Sequence, residues 1–331
     1  MKPLDPYKPI TLATVASHSA LQILKAAKKT GLGTAAIAFN ESAAFYKQFT
    51  FIDEIFETKP DKIEELEPVL SMRNTVFVPH GSFVEYCGPE KAEKFDVPFF
   101  GTRGLIEVEA DQRKKMQLLR EANIPTAEEY DSVDAAEPPV IVKRGGAKGG
   151  VGYFLAFSKK ELTEKIHMVS APYVIQRYVV GVPVYVHFFA SPVFERVELF
   201  GADIRYESNV DGRVFGLAEP SFVVIGNKPV VLRESLLPRL HNYGVSFAKT
   251  VEKMLGAPMI GPFCLETIIT DQLEIKAFEF SGRIVAGTNI YMGVGSPYST
   301  LYFDKPMDMG ERISLEIKQA AEKGLLDKIV T

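Results

Sequence analysis

VIVKRGGAKGGVGYFLAF, residues 140–157, sets a lysine near the end of an apolar strand, follows it with five glycines in nine residues, and returns to an apolar strand. Glycine tolerates positive φ and lets a backbone approach a ligand closely, so such a loop beside Lys143 and Lys148 can cradle phosphate. A phosphate loop of the G-x-x-x-x-G-K-[ST] type opens a helix, whereas Gly149-Gly150-Val151-Gly152 runs into Tyr153-Phe154-Leu155-Ala156-Phe157, a strand pattern. A dinucleotide-binding turn also opens a helix. The stretch therefore reads as a hairpin between two strands. On the hairpin alone, a phosphate cradle and a plain flexible connection are equal readings.

Around it lies a chain of 331 residues, 46% hydrophobic and 24% charged, long enough for two or three domains with a sizeable core. A net charge of −4 and a pI near 5.9 argue against a nucleic-acid surface, which needs a clustered basic footprint. Cys87 and Cys264 sit far apart in apolar contexts and read as core-fillers, with a reducing cytoplasm as the expected location. No apolar leader precedes the first strand. The most hydrophobic stretch, Tyr173 to Phe194, is broken by Arg177, Pro183 and His187, so no membrane span is expected.

Ile10 to Val15 reads as a buried strand, Ala16 to Ser19 as a turn, Ala20 to Lys29 as a helix and Thr34 to Phe39 as a second strand. This order predicts a Rossmann-like parallel α/β sheet, with ligands beyond the carboxyl ends of its strands. Thr75 to Pro79 is a further strand, so His18 and Ser82 each follow a strand end and can share a crevice. Serines before a helix are commonly caps, but two such turns together favour an anion or ribose site. Glu109 to Ala122 reads as an amphipathic helix stopped at Asn123-Ile124-Pro125, which places the main boundary after residue 122. Beyond it come a helix over Lys159 to His167, strands over Tyr173 to Gly181 and Tyr185 to Phe189, and a polar, glycine-rich loop from Glu198 to Ile225. A helix over Glu234 to Leu255, strands over Pro262 to Ile269 and Leu273 to Ser281, and a closing helix over Met309 to Glu322 complete the pattern.

Glu266 and Glu279 fall inside strands that otherwise alternate apolar residues, and carboxylates are rarely buried without a partner. A two-residue turn at Asp271-Gln272 would set residue 266 opposite 277, making the glutamates diagonal neighbours about 7–8 Å apart with Ser281 on the same face. A solvated sheet face would explain them. With the hairpin upstream, a shared Mg²⁺ explains them better.

These pieces together resemble the ATP-grasp fold: strand, Lys143 and Gly-rich hairpin, then VIQRYVVG, then ETIIT and FEFSGR. More closely, ATVASHSALQILKAAK, VPHGSFVEYCG, VKRGGAKGGVGYFLA, IRYESNVDG, VIGNKPVVLRESLLP, IGPFCLETI and FEFSGRIVAGTN are similar to the archaeal PurP family from about Ile10 onward. Those enzymes are formate-dependent ligases that convert AICAR, an aminoimidazole carboxamide ribotide of IMP biosynthesis, into its formyl derivative FAICAR, releasing ADP and phosphate. The resemblance implies a parallel α/β domain over residues 1–122 with the AICAR crevice, and an ATP-grasp domain over residues 123–331 whose lid-like part is residues 123–190. It implies AICAR contacts from His18, Ser82 and Asn227. ATP contacts are implied for Lys143, Gly145, Gly146, Lys148, Gly149, Gly150, Gln176, Tyr178, Val179 and Glu207. Glu266 and Glu279 would ligate Mg²⁺, with Mn²⁺ as an alternative, and Arg283 with Lys143 would serve the transfer itself. A cytoplasmic homo-oligomer acting only on small molecules (ATP, formate, AICAR) is expected.

The chain departs from that pattern in three places. Ile106 to Arg113 lacks the arginine and tryptophan that open the corresponding family segment, and the stretch from Gly212 to Val223 lacks a charged insert. Arg177 also stands where many ATP-grasp enzymes carry an acid. An ATP-grasp ligase for another acid and amine, or a non-catalytic nucleotide-binding paralogue, is the alternative reading.

Overall fold

The computed structural model describes residues 3–144, 153–169, 173–207 and 223–331, and the glycine positions 145, 146, 149 and 150 and Lys148 lie outside them. Four strands, β1 (Thr11–Val15), β2 (Gly33–Phe39), β3 (Glu54–Thr58) and β4 (Thr75–Phe77), form a parallel sheet in the order β3-β2-β1-β4. Alternation along β1 sends Leu12 to one face, where the helices Ala20–Lys29 and Met309–Lys323 pack. Ala13 and Val15 go to the other, against Phe77, Phe83 and Phe95. The closing helix thus returns to the first sheet and ties the two ends of the chain together.

A second sheet, all antiparallel, carries the order β11-β10-β9-β12-β13, from β9 (Val182–Ser191), β10 (Arg196–Glu207), β11 (Val224–Pro229), β12 (Gly261–Ile269) and β13 (Ile275–Ser281). A smaller antiparallel sheet, β5-β8-β6-β7, is built from β5 (Glu129–Tyr130), β6 (Val140–Arg144), β7 (Phe154–Ala156) and β8 (Tyr173–Arg177), and the helix Lys159–Ile166 covers its back through Leu162 and Ile166.

Period-two alternation divides the central sheet into two unlike faces. Val184, Val186, Phe188, Ala202, Phe263, Leu265 and Phe280 bury against the helices Leu237–Leu255 and Gln112–Glu121. The other face carries one cross-strand row of Asp203, Tyr185, Glu266 and Glu279, and a neighbouring row of His187, Cys264 and Ser281.

Several expectations need correction. The helix expected over Glu109 to Ala122 is broken: Leu105–Ala110 ends at Asp111, whose side chain caps a new helix, Gln112–Glu121, by accepting from the Arg113 and Lys114 amides at 2.8 and 3.2 Å. The polar loop expected from Glu198 begins instead as a twelve-residue strand, β10, which runs to Glu207. Its polar residues Asp203, Arg205 and Glu207 alternate, all pointing to the functional face. β8 stops at Arg177, β9 spans more than Tyr185 to Phe189, and β3 was not expected.

The closing helix is also anchored by charge. Arg312, fully buried, donates to Glu198 at 2.7 and 3.2 Å and to Glu316 at 2.8 Å, and stacks 3.9 Å over the Phe189 ring. Removing one member of such a network leaves uncompensated charge in the core. Arg312→Met should therefore cost about 3–5 kcal/mol in urea unfolding, and adding Glu198→Gln and Glu316→Gln should recover part of it.

Candidate active site

The cleft between the central and small sheets spans about 980 Å³, open solvent included. It is lined by Lys143, Gln176, Tyr178 and Val179 from the small sheet and its exit, and by Glu207, Glu266 and Glu279 from the central sheet. All seven residues that the sequence assigned to nucleotide or metal, among those described, therefore meet in one place. Tyr178 and Val179 connect β8 to β9, and the Tyr178 amide donates to the Pro139 carbonyl at 2.9 Å, fixing that connection against the small sheet.

Glu266 and Glu279 are direct partners rather than diagonal ones. Two causes add up. The connection between the strands is longer than two residues, with Ile269 opposite Ile275, and a bulge leaves Phe278 unpaired between Glu266–Glu279 and Thr267–Ala277. The bulge also frees the Phe278 carbonyl to accept from Lys143 at 3.3 Å.

Protein cations reach both carboxylates. Lys115, 2% exposed, donates to Glu279 Oε1. Arg205 crosses the Tyr185 ring, 3.4 Å above its centre, to reach Glu266 Oε2 at 3.3 Å, while Ser281 donates to Glu266 Oε1 at 3.2 Å. Burial and the Glu279 charge push the Glu266 carboxyl up against the pull of Arg205. Burial would raise Glu279 as well, but Lys115 and Lys143 outweigh it and hold that carboxyl below its usual range. Burial, with Lys115 nearby, lowers the Lys143 ammonium to about 8, although Glu279 pulls it upward.

The donor set fits Mg²⁺. Two carboxylates face each other, Glu279 Oε2 accepts no hydrogen bond from the described residues, and among those residues no third His, Cys, Asp or Glu completes a cluster. A hard cation there would complete its shell with water and phosphate oxygen, as Mg²⁺ commonly does.

The same sheet face continues to the parallel domain. Ser17 donates to Ser82 at 3.1 Å, and His18, adjacent in the same turn, stacks on His80 with centres 5.1 Å apart and planes 8° from parallel. The two strand-end turns expected to form a crevice do meet. The Arg283 guanidinium lies against Gly81, where a Cβ would come within 3.1 Å of Nη2, and pairs with Glu109 at 3.3 Å. Among the described residues Arg283 Nε is buried without a partner. Burial, then His80, Arg283 and Arg205, push His18 well below its usual range. Asn227 lies opposite Arg205, and its amide donates to Asp203 at 2.6 Å rather than to either crevice residue.

Lys115, Arg205, Tyr185 and Glu109 were not singled out in the sequence. Lys115 had a signal, since it stands four and seven residues before Leu119 and Ala122 on the helix's buried stripe. Arg205 had one in the alternation of Asp203, Arg205 and Glu207.

Two antiparallel sheets facing across a cleft, behind a parallel α/β unit, form the ATP-grasp fold. Family models match over residues 158–331, described as "Domain of unknown function (DUF1297)", and over residues 12–130, described as "Protein of unknown function (DUF1246)". The chain is 57% identical over 322 residues to the 5-formaminoimidazole-4-carboxamide-1-(beta)-D-ribofuranosyl 5'-monophosphate synthetase of Pyrobaculum calidifontis, covering 97% of this chain and 96% of that protein. The crystal structure of the IMP biosynthesis protein PurP from Thermococcus kodakaraensis superposes with a TM-score of 0.79 at 33% identity, over 97% of this chain and 100% of that one. The chain belongs to the PurP family. An ADP complex of N5-carboxyaminoimidazole ribonucleotide synthetase, 14% identical, superposes with a TM-score of 0.69 over 97% of this chain and 79% of that one, and shares the fold.

His80 gives the crevice a pH signature. It is fully buried, its Nε2 donates to the Val15 carbonyl at 2.8 Å, and burial lowers its pKa to about 4, with Arg283 adding to the effect. The unfolded chain takes up this proton near pH 6.5 and the folded protein only near 4, so stability falls as pH drops through that window, by about 3 kcal/mol in all. Thermal unfolding from pH 7 to 4.5 should show His80→Gln losing less stability than the parent, and parallel curves would reject the assignment.

Proposed function

We propose that this chain is an ATP- and formate-dependent ligase that formylates the 5-amino group of AICAR to FAICAR, releasing ADP and phosphate in IMP biosynthesis. The observation that carries the reading is 57% identity, over nearly the whole of both chains, to a synthetase named for that product. The cleft supports it, because it gathers cationic and acidic groups suited to nucleotide phosphates at one end of a sheet whose other end meets a separate polar crevice.

Formate is a poor acyl donor because oxide is a bad leaving group. Transfer of the ATP γ-phosphoryl group to a formate oxygen gives formyl phosphate and ADP. The AICAR amine then attacks the formyl carbon and phosphate departs. Such chemistry rests on positioning and charge neutralisation more than on covalent participation by the protein. Lys143, and with it Lys148 and the glycines from Gly145 to Gly150, would hold phosphate oxygens. Gln176, Tyr178, Val179 and Glu207 would hold the nucleoside. Mg²⁺ on Glu266 and Glu279, with Mn²⁺ as the alternative, would supply charge neutralisation to the phosphates. Arg283 would offset charge on the acyl phosphate, and His18, Ser82 and Asn227 would seat AICAR. The division into residues 1–122 and 123–331, with a lid over 123–190, a homo-oligomeric state and a cytoplasmic location belong to the same proposal. Among the described residues no helix is long and apolar enough to cross a membrane.

ADP release should require formate and AICAR together, with FAICAR appearing in equal amount; release independent of AICAR would sink the reading. Glu279→Gln should abolish product formation while calorimetric titration still detects AICAR. The same change strands the buried Lys115 ammonium, so a stability loss of about 3 kcal/mol is expected. Near-normal turnover in the variant would show that the carboxylate pair does not serve phosphoryl transfer.

A further inference from the structure

Formyl transfer creates a proton that must go somewhere. When the amine lone pair forms the N–C bond, the nitrogen becomes positive. The carbonyl π pair moves to oxygen and returns as the C–O bond to phosphate breaks, and phosphate leaves with the electrons of that broken bond. One N–H proton must pass to a base. Glu266 and Glu279 are engaged by Arg205, Ser281 and Lys115. Of the five histidines, His167 ends the helix on the back of the small sheet and His241 bonds the Val197 carbonyl from the far helix. His18 and His80 are both depressed by burial and by Arg283, which makes them weak proton acceptors.

His187 differs. It lies on the functional face of β9, level with Cys264 and Ser281 and one pleat from the row of Glu266 and Glu279. Its Nε2 meets Asp203 Oδ1 at 2.7 Å, and the Asn227 amide donates to the other Asp203 oxygen at 2.6 Å. With Nε2–H given to a carboxylate, Nδ1 is left as a lone-pair acceptor. Among the described residues that atom, like His80 Nδ1, is buried without a hydrogen-bond partner, an arrangement that is costly unless a ligand supplies the donor. A carboxylate behind an imidazole sets its tautomer and stabilises the imidazolium formed when the other nitrogen takes a proton.

The surroundings are cut to admit this arrangement. A Cβ on Gly287 would fall 2.2 Å from Asp203 Oδ1, and one on Gly201 would fall 2.7 Å from the Tyr291 ring. Tyr291 closes edge-on over His187, its ring centre 6.4 Å away. The segment bearing both residues, Ala286–Tyr291, reaches the crevice through Asn289, which donates to the His18 carbonyl at 2.9 Å.

We propose that His187 is the catalytic base that accepts the proton of the attacking amine at Nδ1, with Asp203 and Asn227 as positioning residues. The inference rests on the formyl-transfer reading above, and it makes Asn227 act through Asp203 as well as beside the substrate. The proton then passes from His187 to the departing phosphate or to water.

The test separates the two half-reactions in the full-length protein. His187→Gln should keep formate-dependent scrambling of label between the bridge and non-bridge oxygens of ATP, and should bind AICAR within threefold of the parent, while FAICAR formation falls at least 100-fold. Asp203→Asn should behave alike, with a smaller loss. A folded His187→Gln that makes FAICAR within threefold of the parent, or that loses scrambling to the same extent as transfer, overturns the proposal. If His187→Gln does not fold, Asp203→Asn decides by the same readouts; if neither folds, the pair is structural and the proposal fails. The parent is assayed first: if it makes no FAICAR from formate and AICAR, the function itself falls, whereas an active parent with an unaffected His187→Gln removes only this inference.

Discussion

Glu266 and Glu279 face each other across β12 and β13 with most of their water removed, and two carboxylates so placed repel unless positive charge is brought to them. In this chain the charge comes from three separate pieces. Lys115 arrives on the helix Gln112–Glu121, Arg205 on β10, and Lys143 on β6 of the small sheet. None of these is near the glutamates in sequence. The acid pair therefore acts as an assembly point, because its burial is tolerable only once helix, central sheet and small sheet have come together around it.

The central sheet makes this possible by keeping its two faces chemically apart. One face packs Phe188, Phe263, Leu265 and Phe280 against two helices, and that apolar burial offsets the cost of a polar face opposite. The polar face is a continuous strip from Glu279 through Tyr185 to Asp203, with Ser281, Cys264 and His187 one pleat away. The cleft at one end and the crevice of the parallel domain at the other thus share one sheet surface. An acyl phosphate formed at one end would have its acceptor close by, without a large movement of the sheet itself.

The crevice end follows a different electrostatic rule. Burial, and after it the nearby Arg283 charge, holds both His18 and His80 below the usual imidazole range. Glu109 balances Arg283 and also accepts from the Gly282 amide at 3.0 Å, so the segment after β13 is held by the residue just before the helix break at Asp111. The altered segment from Ile106 to Arg113 therefore lies beside the crevice, and its break supplies both this acid and, on the following helix, Lys115.

Much of this was legible in the sequence wherever the signal is local. Alternating apolar residues, helix periodicity and the glycine hairpin specified the parallel sheet, the long helices and the β6–β7 pair, since each depends on neighbours a few residues away. Glu266, Glu279 and Lys143 stood out because a charge inside an apolar strand needs an explanation. Register did not follow from the sequence: the Phe278 bulge and the longer turn shift β13 against β12, and only cross-strand packing selects that shift. The partners of the charges did not follow either. Lys115 joins Glu279 across 164 residues of chain, and Asp203, which looked like part of a polar loop, is a strand residue bonded to His187. A sequence specifies which groups demand a partner, through burial and periodicity. Which partner answers is decided by the tertiary fold, because only there do distant segments compete for the same buried charge.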